Sequence, residues 1–146
     1  MEHLAEITAA AELGRSGDRD TARAQLQALW DQTDDRQTQC VIAHFLADVQ
    51  NTTADELDWD LRALECADPE DPMTPGMLAS LHLSLSDDYR RLGRTEQAHE
   101  HLKLAKANQH ALGPDAYGDL VRGALEHVTD ALAAGSTAPL ETNPSS

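Results

Sequence analysis

The sequence has few aromatic residues and few cysteines, and each shortage narrows the class of protein. Aromatic residues make up 3% of the chain, although 40% of its residues are hydrophobic. The core must therefore be built mainly from Ala and Leu, which favour helices over strands. Cys40 and Cys66 are too few for a disulfide framework, and no apolar run approaches the length of a membrane-spanning helix. We expect an all-α, soluble protein with two small buried thiols.

Basic residues are also scarce. The net charge is -15, from 26 acidic and 11 basic side chains, and no basic cluster is longer than Arg90-Arg91. Such a chain repels phosphate backbones and anionic lipids, so neither nucleic acid nor a membrane is an expected partner. The first residues are acidic where a signal peptide needs basic ones, and cytoplasmic localisation is expected.

The stretch Leu81 to Ala107 predicts two amphipathic helices joined by a short turn. Gly93 ends the first helix, and the Thr95 hydroxyl is expected to cap the second. A turn this short keeps the two helices together as a hairpin. Apolar residues recur at helical spacing on both sides of the turn, at Leu81, Leu85, Leu92, Ala98, Leu102 and Ala105.

This hairpin resembles the tetratricopeptide repeat, whose pattern is W-x2-L-G-x2-Y, then A-x3-F and a closing proline. Leu85, Tyr89, Ala98 and Ala105 match the pattern. Weaker matches cover residues 2–33 and 35–67. The resemblance implies a right-handed α-solenoid of three helix-turn-helix repeats with a C-terminal capping helix. The sequence departs from the pattern at His82, Ser86, Leu102 and His110.

The two weaker repeats contain some of the same helix start and stop signals. Ala22 follows Gly17 by five residues, as Ala98 follows Gly93. In the second repeat, Asp35 is an expected N-cap and Thr53 with Glu56 an expected capping box. The second helix of each of these repeats has an apolar stripe. In the first repeat the stripe is Ala22, Leu26, Leu29 and Trp30, and in the second it is Leu57, Leu61 and Leu64.

The remaining segments divide the chain into a single predicted domain, residues 1–134, and a tail, 135–146. Asp68 to Gly76 contains three prolines and is predicted to connect two hairpins, with a mobile lid as the alternative. The tail is rich in Ser, Thr and Pro and is predicted to be disordered. A last helix, Ala116 to Ala134, has an inward face predicted at Leu120, Val121, Ala124, Leu125, Val128 and Leu132.

The candidate site follows from the expected solenoid, in which the first helix of each pair lines the concave face. Side chains of those helices that packing does not require would form a mixed polar groove with an apolar end, which suits a peptide. The predicted partner-binding residues are Gln37, Cys40, His44, Asp48, Leu83, Asp87, Arg90 and Arg91.

Three functions remain open. The first is a non-enzymatic protein interaction module that binds a peptide segment of a partner, with no catalytic residue and no cofactor. The alternative is a small-molecule binder or atypical enzyme using His44, Asp48 and Arg90, and a third is self-association as a homodimer. Cys40, His44 and Asp48 also have ligand chemistry, but a span of eight helical residues is about 12 Å, too long for one metal ion.

Two further residue types have competing interpretations. His82 and His110 are assigned to packing at hairpin edges, with a coupled catalytic role as the minor alternative, and His99 and His101 are assigned to solvated or half-buried positions. Trp59 is expected to face the next hairpin or, alternatively, to form a contact point on the convex side.

Overall fold

The computed structural model describes residues 3–72 and 74–140, and within these ranges the protein is all-helical. Seven α-helices and one 3₁₀ turn are present in the described part of the chain, with no strand. Successive helices pack as pairs, α1 with α2, α3 with α4 and α5 with α6. The helices are α1 (Leu4–Arg15), α2 (Arg19–Gln32), α3 (Arg36–Asp48), α4 (Thr53–Cys66), α5 (Thr74–Arg91), α6 (Thr95–Asn108) and α7 (Ala116–Ala133). The all-α prediction is confirmed.

The chain divides into two compact units, residues 1–71 and residues 72–146. The first contains the pairs α1–α2 and α3–α4, and α3 also packs against α1 and α2. The second contains α5, α6 and α7, together with the 3₁₀ turn Gln109–Ala111. Among the described residues, no helix combines the length and the hydropathy needed to cross a bilayer.

Side-chain caps start several helices where the sequence predicts them. Asp18 accepts a hydrogen bond from the Thr21 amide, and Asp35 accepts one from the Thr38 amide. The capping box predicted at Thr53 is wrong by one residue, because Thr52 is the N-cap of α4. Two consecutive threonines can each supply the hydroxyl, and the extended backbone at Thr52 selects the first.

The predicted cap and linker around α5 and α6 also differ from the structure. Thr95 is the first helical residue of α6 rather than its cap, and Arg94 at the N-cap makes no side-chain cap hydrogen bond. Helix α5 begins at Thr74, inside the predicted linker. Pro75 is tolerated there because the first turn of a helix has amide groups without intrahelical partners.

Small residues lie at corresponding positions of two helix pairs. Ala22 and Ala98 are both completely buried, and Gly17 and Gly93 adopt left-handed conformations with φ of 111° and 76°. The predicted glycine stops are therefore confirmed in both hairpins. Two leucines assigned to buried stripes are instead exposed, Leu61 by 38% and Leu120 by 50%.

The core of the second unit is a cluster from three helices. It contains Ala79 and Leu83 from α5, the predicted α6 stripe, and most of the predicted inward face of α7. Tyr89, Leu112 and Leu140 pack against it. Leu140 belongs to the predicted disordered tail, so residues 135–140 are part of the described structure, while 141–146 lie outside the described residues.

Candidate functional site

The predicted α3 row does not form a continuous solvent-facing strip. Cys40 is completely buried, and its thiol donates a hydrogen bond to the Ala63 carbonyl of α4 at 3.3 Å. Burial raises the pKa of the Cys40 thiol to about 12, so it stays protonated at neutral pH. Gln37 and Asp48 are partly exposed. The assignment of Cys40 to an accessible groove is therefore wrong, because this side chain joins α3 to α4.

His44 lies mostly inside the first unit, with 14% of its side chain exposed. Its Nδ1 is 3.9 Å from Oδ1 of the buried Asp60 of α4, which is beyond hydrogen-bond distance. Burial lowers the pKa of His44 to about 4. The imidazole is neutral at physiological pH and is a weak base there, so it does not suit general-base catalysis.

The predicted α5 row is more deeply buried than the α3 row. Leu83 is completely buried in the core cluster, and Asp87 and Arg90 are each 2% exposed. The sequence counted Arg90 among the side chains that packing does not require, and this placement is wrong. Arg91 keeps 14% of its side chain exposed. Of this row, only Arg91 retains contact with solvent.

Asp87, Arg90 and Arg91 form a buried ion network. Oδ1 of Asp87 accepts from Nε of Arg90 at 3.0 Å and from Nη2 at 2.7 Å. Oδ2 of Asp87 accepts from Nε of Arg91 at 2.9 Å, and Asp88 accepts from Nη2 of Arg91 at 3.0 Å. Charge-assisted bonds of this kind are strong and directional, so the network fixes the orientation of the Arg90 guanidinium.

The third nitrogen of the Arg90 guanidinium, Nη1, is directed at the chain after α7. Nη1 of Arg90 donates to the Ser136 carbonyl at 2.9 Å and to the Ala138 carbonyl at 2.8 Å. The guanidinium therefore holds two backbone groups that lie more than 40 residues away in sequence. Nothing in the local pattern around Arg90 indicates this contact, because its acceptors are main-chain atoms of a segment without helical periodicity.

A cluster of three rings joins α5 to α6. Nδ1 of His82 is 3.0 Å from Nδ1 of His101, and the Tyr89 ring stacks on His101 with centroids 5.5 Å apart. One histidine must donate and the other accept, which requires complementary neutral tautomers. Burial and the adjacent His101 lower the pKa of His82 to about 4, and burial lowers that of His101.

The sequence indicated packing for His82 and a solvated or half-buried position for His101, and it did not predict the pair. A signal was available, since the midpoint in sequence of His82 and His101 and that of Ser86 and Ala98 both lie within two residues of Gly93. The Ser86 hydroxyl donates to the Ala98 carbonyl at 2.7 Å. In an antiparallel hairpin, residues equidistant from the turn face each other. The geometry assigns these rings to packing between the two helices.

Trp59 is buried, and its ring packs against the preceding hairpin. Its ring meets the Trp30 ring edge to face, with centroids 5.2 Å apart, and the Arg62 guanidinium lies 4.3 Å from the Trp59 ring centroid. These contacts stabilise the first unit. With 8% of its surface exposed, Trp59 is not a convex contact point.

A cleft of about 390 Å³ lies in the second unit, on α6 and α7 rather than on the predicted groove helices. Its walls carry side chains of both charges, and Leu125 contributes an apolar surface. The cleft suits a small or extended ligand with both charges. Its lining residues are Lys106, Gln109, Arg122, Leu125, Glu126, Thr129 and Asp130.

The fold and these contacts define an all-α protein of paired helices, with polar networks that bind helix to helix. Comparison with protein-family models, with curated proteins and with solved structures gave no match. The family resemblance stated from the sequence motif therefore stays a prediction.

Proposed function

We propose that this protein is a non-enzymatic interaction module of the tetratricopeptide-like class. Three helix-turn-helix repeats, residues 2–33, 35–67 and 81–107, and α7 as a capping helix would form a right-handed solenoid. Its first helices would present a surface to a peptide segment of a partner protein. The single-domain organisation of residues 1–134 and the cytoplasmic location belong to this proposal.

The observation that supports the proposal is the recurrence of one hairpin packing in both units. In α1–α2 and in α5–α6, a glycine in the left-handed conformation ends the first helix, and a completely buried alanine follows five residues later. The Ser86–Ala98 hydrogen bond shows how closely α5 and α6 approach. Repeating one unit that cannot bury its own apolar face is the principle of helical repeat proteins.

The accessible part of the predicted groove is smaller than the sequence suggested. Among the predicted binding residues, Gln37, His44, Asp48 and Arg91 keep partial exposure, whereas the others are buried. The proposal therefore places peptide contacts at the partly exposed side chains. Since few contacts are offered, a short peptide with modest affinity is the expected ligand.

The alternative enzymatic function draws less support from the geometry. Its three residues were His44, Asp48 and Arg90. His44 has a pKa far below neutrality, and Arg90 uses its Nε, Nη1 and Nη2 on Asp87, Ser136 and Ala138. A ligand would have to displace those internal acceptors before the guanidinium could bind it.

Peptide display tests the proposal directly. A random peptide library is selected on the immobilised native chain, and the affinity of a recovered peptide is measured by calorimetry. Changing Gln37 or Asp48 to Ala is expected to weaken binding at least about tenfold where that residue is a contact. Changing Glu96 or Glu100 to Ala, on exposed positions of α6, is the matched control and is expected to have little effect.

Two results would contradict the proposal. One is that no peptide is enriched above the background of an unrelated helical protein. The other is that the Glu96 and Glu100 changes abolish binding while the Gln37 and Asp48 changes leave it intact. Light scattering at several concentrations would test the possible homodimer separately.

A further inference from the structure

The chain turns back onto α5 at the end of α7. Gly135 adopts a left-handed conformation with φ of 69°, and the Gly135 and Ser136 amides donate to the Leu132 and Ala131 carbonyls. This hydrogen-bond pattern commonly closes a helix and redirects the chain. Residues 136–140 then continue without helical structure.

The hydrogen bonds from Arg90 to this returning segment go to main-chain carbonyls of the segment. The two carbonyls that accept from Nη1 belong to Ser136 and Ala138, two residues apart. The two carbonyl oxygens lie 2.9 and 2.8 Å from one nitrogen, and Ala138 is a bend, so the segment curves around the guanidinium. Asp87 holds the other edge of the guanidinium, so the donor is oriented before any backbone binds it. Such a contact recognises a bent, non-helical backbone, and the Ser136 hydroxyl supports the bend by accepting a hydrogen bond from the Ala138 amide at 3.3 Å.

Leu140 supplies the side-chain part of the contact. It is partly buried against the core cluster of the second unit. Thr137, Ala138 and Pro139, between the two anchor points, are exposed. The segment is thus attached by two main-chain hydrogen bonds and one apolar side chain, a small contact that another peptide can replace.

We propose that Asp87, Arg90 and the seat of Leu140 form a recognition site for a short, bent peptide segment, which the chain's own residues 136–140 occupy in cis. The partner segment would place a leucine-sized residue two positions after the second carbonyl bound by Arg90. The tail then regulates access, because a partner must displace it. This inference rests on the proposed interaction function and adds to it a second site, on α5, to which the tail controls access.

Occupation in cis has a measurable consequence. A tethered segment competes at a high effective concentration, so the apparent affinity for a free peptide falls with the fraction of chains whose site is open. A change that weakens the attachment of the tail, without changing any residue of α5, should therefore strengthen the binding of a separate peptide that has the tail sequence. Leu140→Asn makes that change, and Thr137→Asn is the matched control at an exposed position of the same segment.

The probe is a fluorescent synthetic peptide with the sequence of residues 134–146. Fluorescence anisotropy is expected to show that the full-length Leu140→Asn chain binds it about tenfold more tightly than the native chain does, the effect of a partly buried leucine. The Thr137→Asn chain should match the native chain. A peptide carrying Leu140→Asn should bind all three chains at least about tenfold more weakly than the native peptide.

A second measurement uses the native chain alone, in case the Leu140 variant is poorly folded. Hydrogen exchange of residues 135–140 should accelerate when the native peptide is added at saturation, because the tail is displaced. Equal affinities of the native and Leu140→Asn chains, or exchange that the peptide does not change, would overturn the inference. Library peptides that still bind through Gln37 or Asp48 would then show that the interaction function survives without tail control.

Discussion

The buried ion pair between Asp87 and Arg90 makes a quantitative prediction, because the chain contains an exposed pair with the same arrangement. In both Asp87–Arg90 and Glu12–Arg15, an arginine in the last turn of a helix follows its acidic partner by three residues. The shortest distances are similar, 2.7 Å and 2.8 Å. The Arg90 and Asp87 side chains are 1% and 3% exposed, whereas those of Arg15 and Glu12 are 45% and 70% exposed.

Arg90→Ala is expected to lower the free energy of unfolding by about 3 kcal/mol, the lower end of the range for breaking a buried pair. The change leaves Oδ1 of Asp87 and two tail carbonyls without their donor, while Arg91 still neutralises Oδ2. Arg15→Ala should cost between about 0 and 1 kcal/mol, since water screens and solvates an exposed pair. Urea unfolding followed by far-UV circular dichroism measures both values.

The double change Asp87→Ala with Arg90→Ala distinguishes pairing from simple loss of volume. If the carboxylate left behind is the main cost, the double variant should be less destabilised than the sum of the single variants. Additive costs, or equal losses for Arg90→Ala and Arg15→Ala, would refute the argument that burial makes this pair structurally important.

Three other predictions concern packing, reactivity and pH. Ala98→Leu should destabilise the protein by about 1 to 3 kcal/mol in urea unfolding, because α5 leaves no room at a completely buried position, whereas Ala107→Leu on the exposed side of α6 should be nearly neutral. A chromogenic disulfide reagent should modify Cys66 before Cys40, since Cys66 is partly exposed, and equal rates in the folded protein would contradict the placement of α3. His44 should titrate near pH 4 by NMR. Its contribution to the stability of the fold is therefore present above about pH 6.5 and is lost as the pH falls toward 4. A pKa of His44 above 6.5 would mean that attraction to the Asp60 carboxylate outweighs the effect of burial.

Helix positions could be predicted from the sequence because their signals are local. Asp18 and Asp35 cap helices through amides three residues away, and Gly17 and Gly93 end helices through their own backbone conformation. A window of a few residues contains all the atoms involved. The Thr52 correction shows the limit of such a window, since only backbone geometry separates two adjacent threonines.

The faces of the helices were predicted less well, because hydrophobicity alone does not determine burial. Leu61 lies on the apolar stripe assigned to α4 but is exposed, while Asp60, its neighbour in sequence, is 1% exposed. Leu120 in α7 is likewise exposed. The edge of an apolar stripe is buried only where another element covers it, and that depends on distant parts of the chain.

The candidate site was the least predictable part, because its residues were chosen as those that packing did not require. Helix α5 contradicts that criterion, since its segment 79–88 is buried throughout and includes several polar side chains. The i, i+3 and i, i+4 spacing of Asp87, Arg90 and Arg91 was visible and indicates an ion network. Its burial was not visible, because the segment that accepts from Arg90 follows α7.

Polar groups inside α5 also explain how a chain with few aromatic residues can define one arrangement of its helices. Ala and Leu surfaces tolerate small rotations of one helix against another, because an apolar contact has no preferred direction. The Ser86–Ala98 bond and the pairing of His82 with His101 each have a direction and a narrow range of distance. A rotation of α6 that kept its alanines buried would still break both contacts. The register of this hairpin therefore depends on three polar side chains as well as on its small residues.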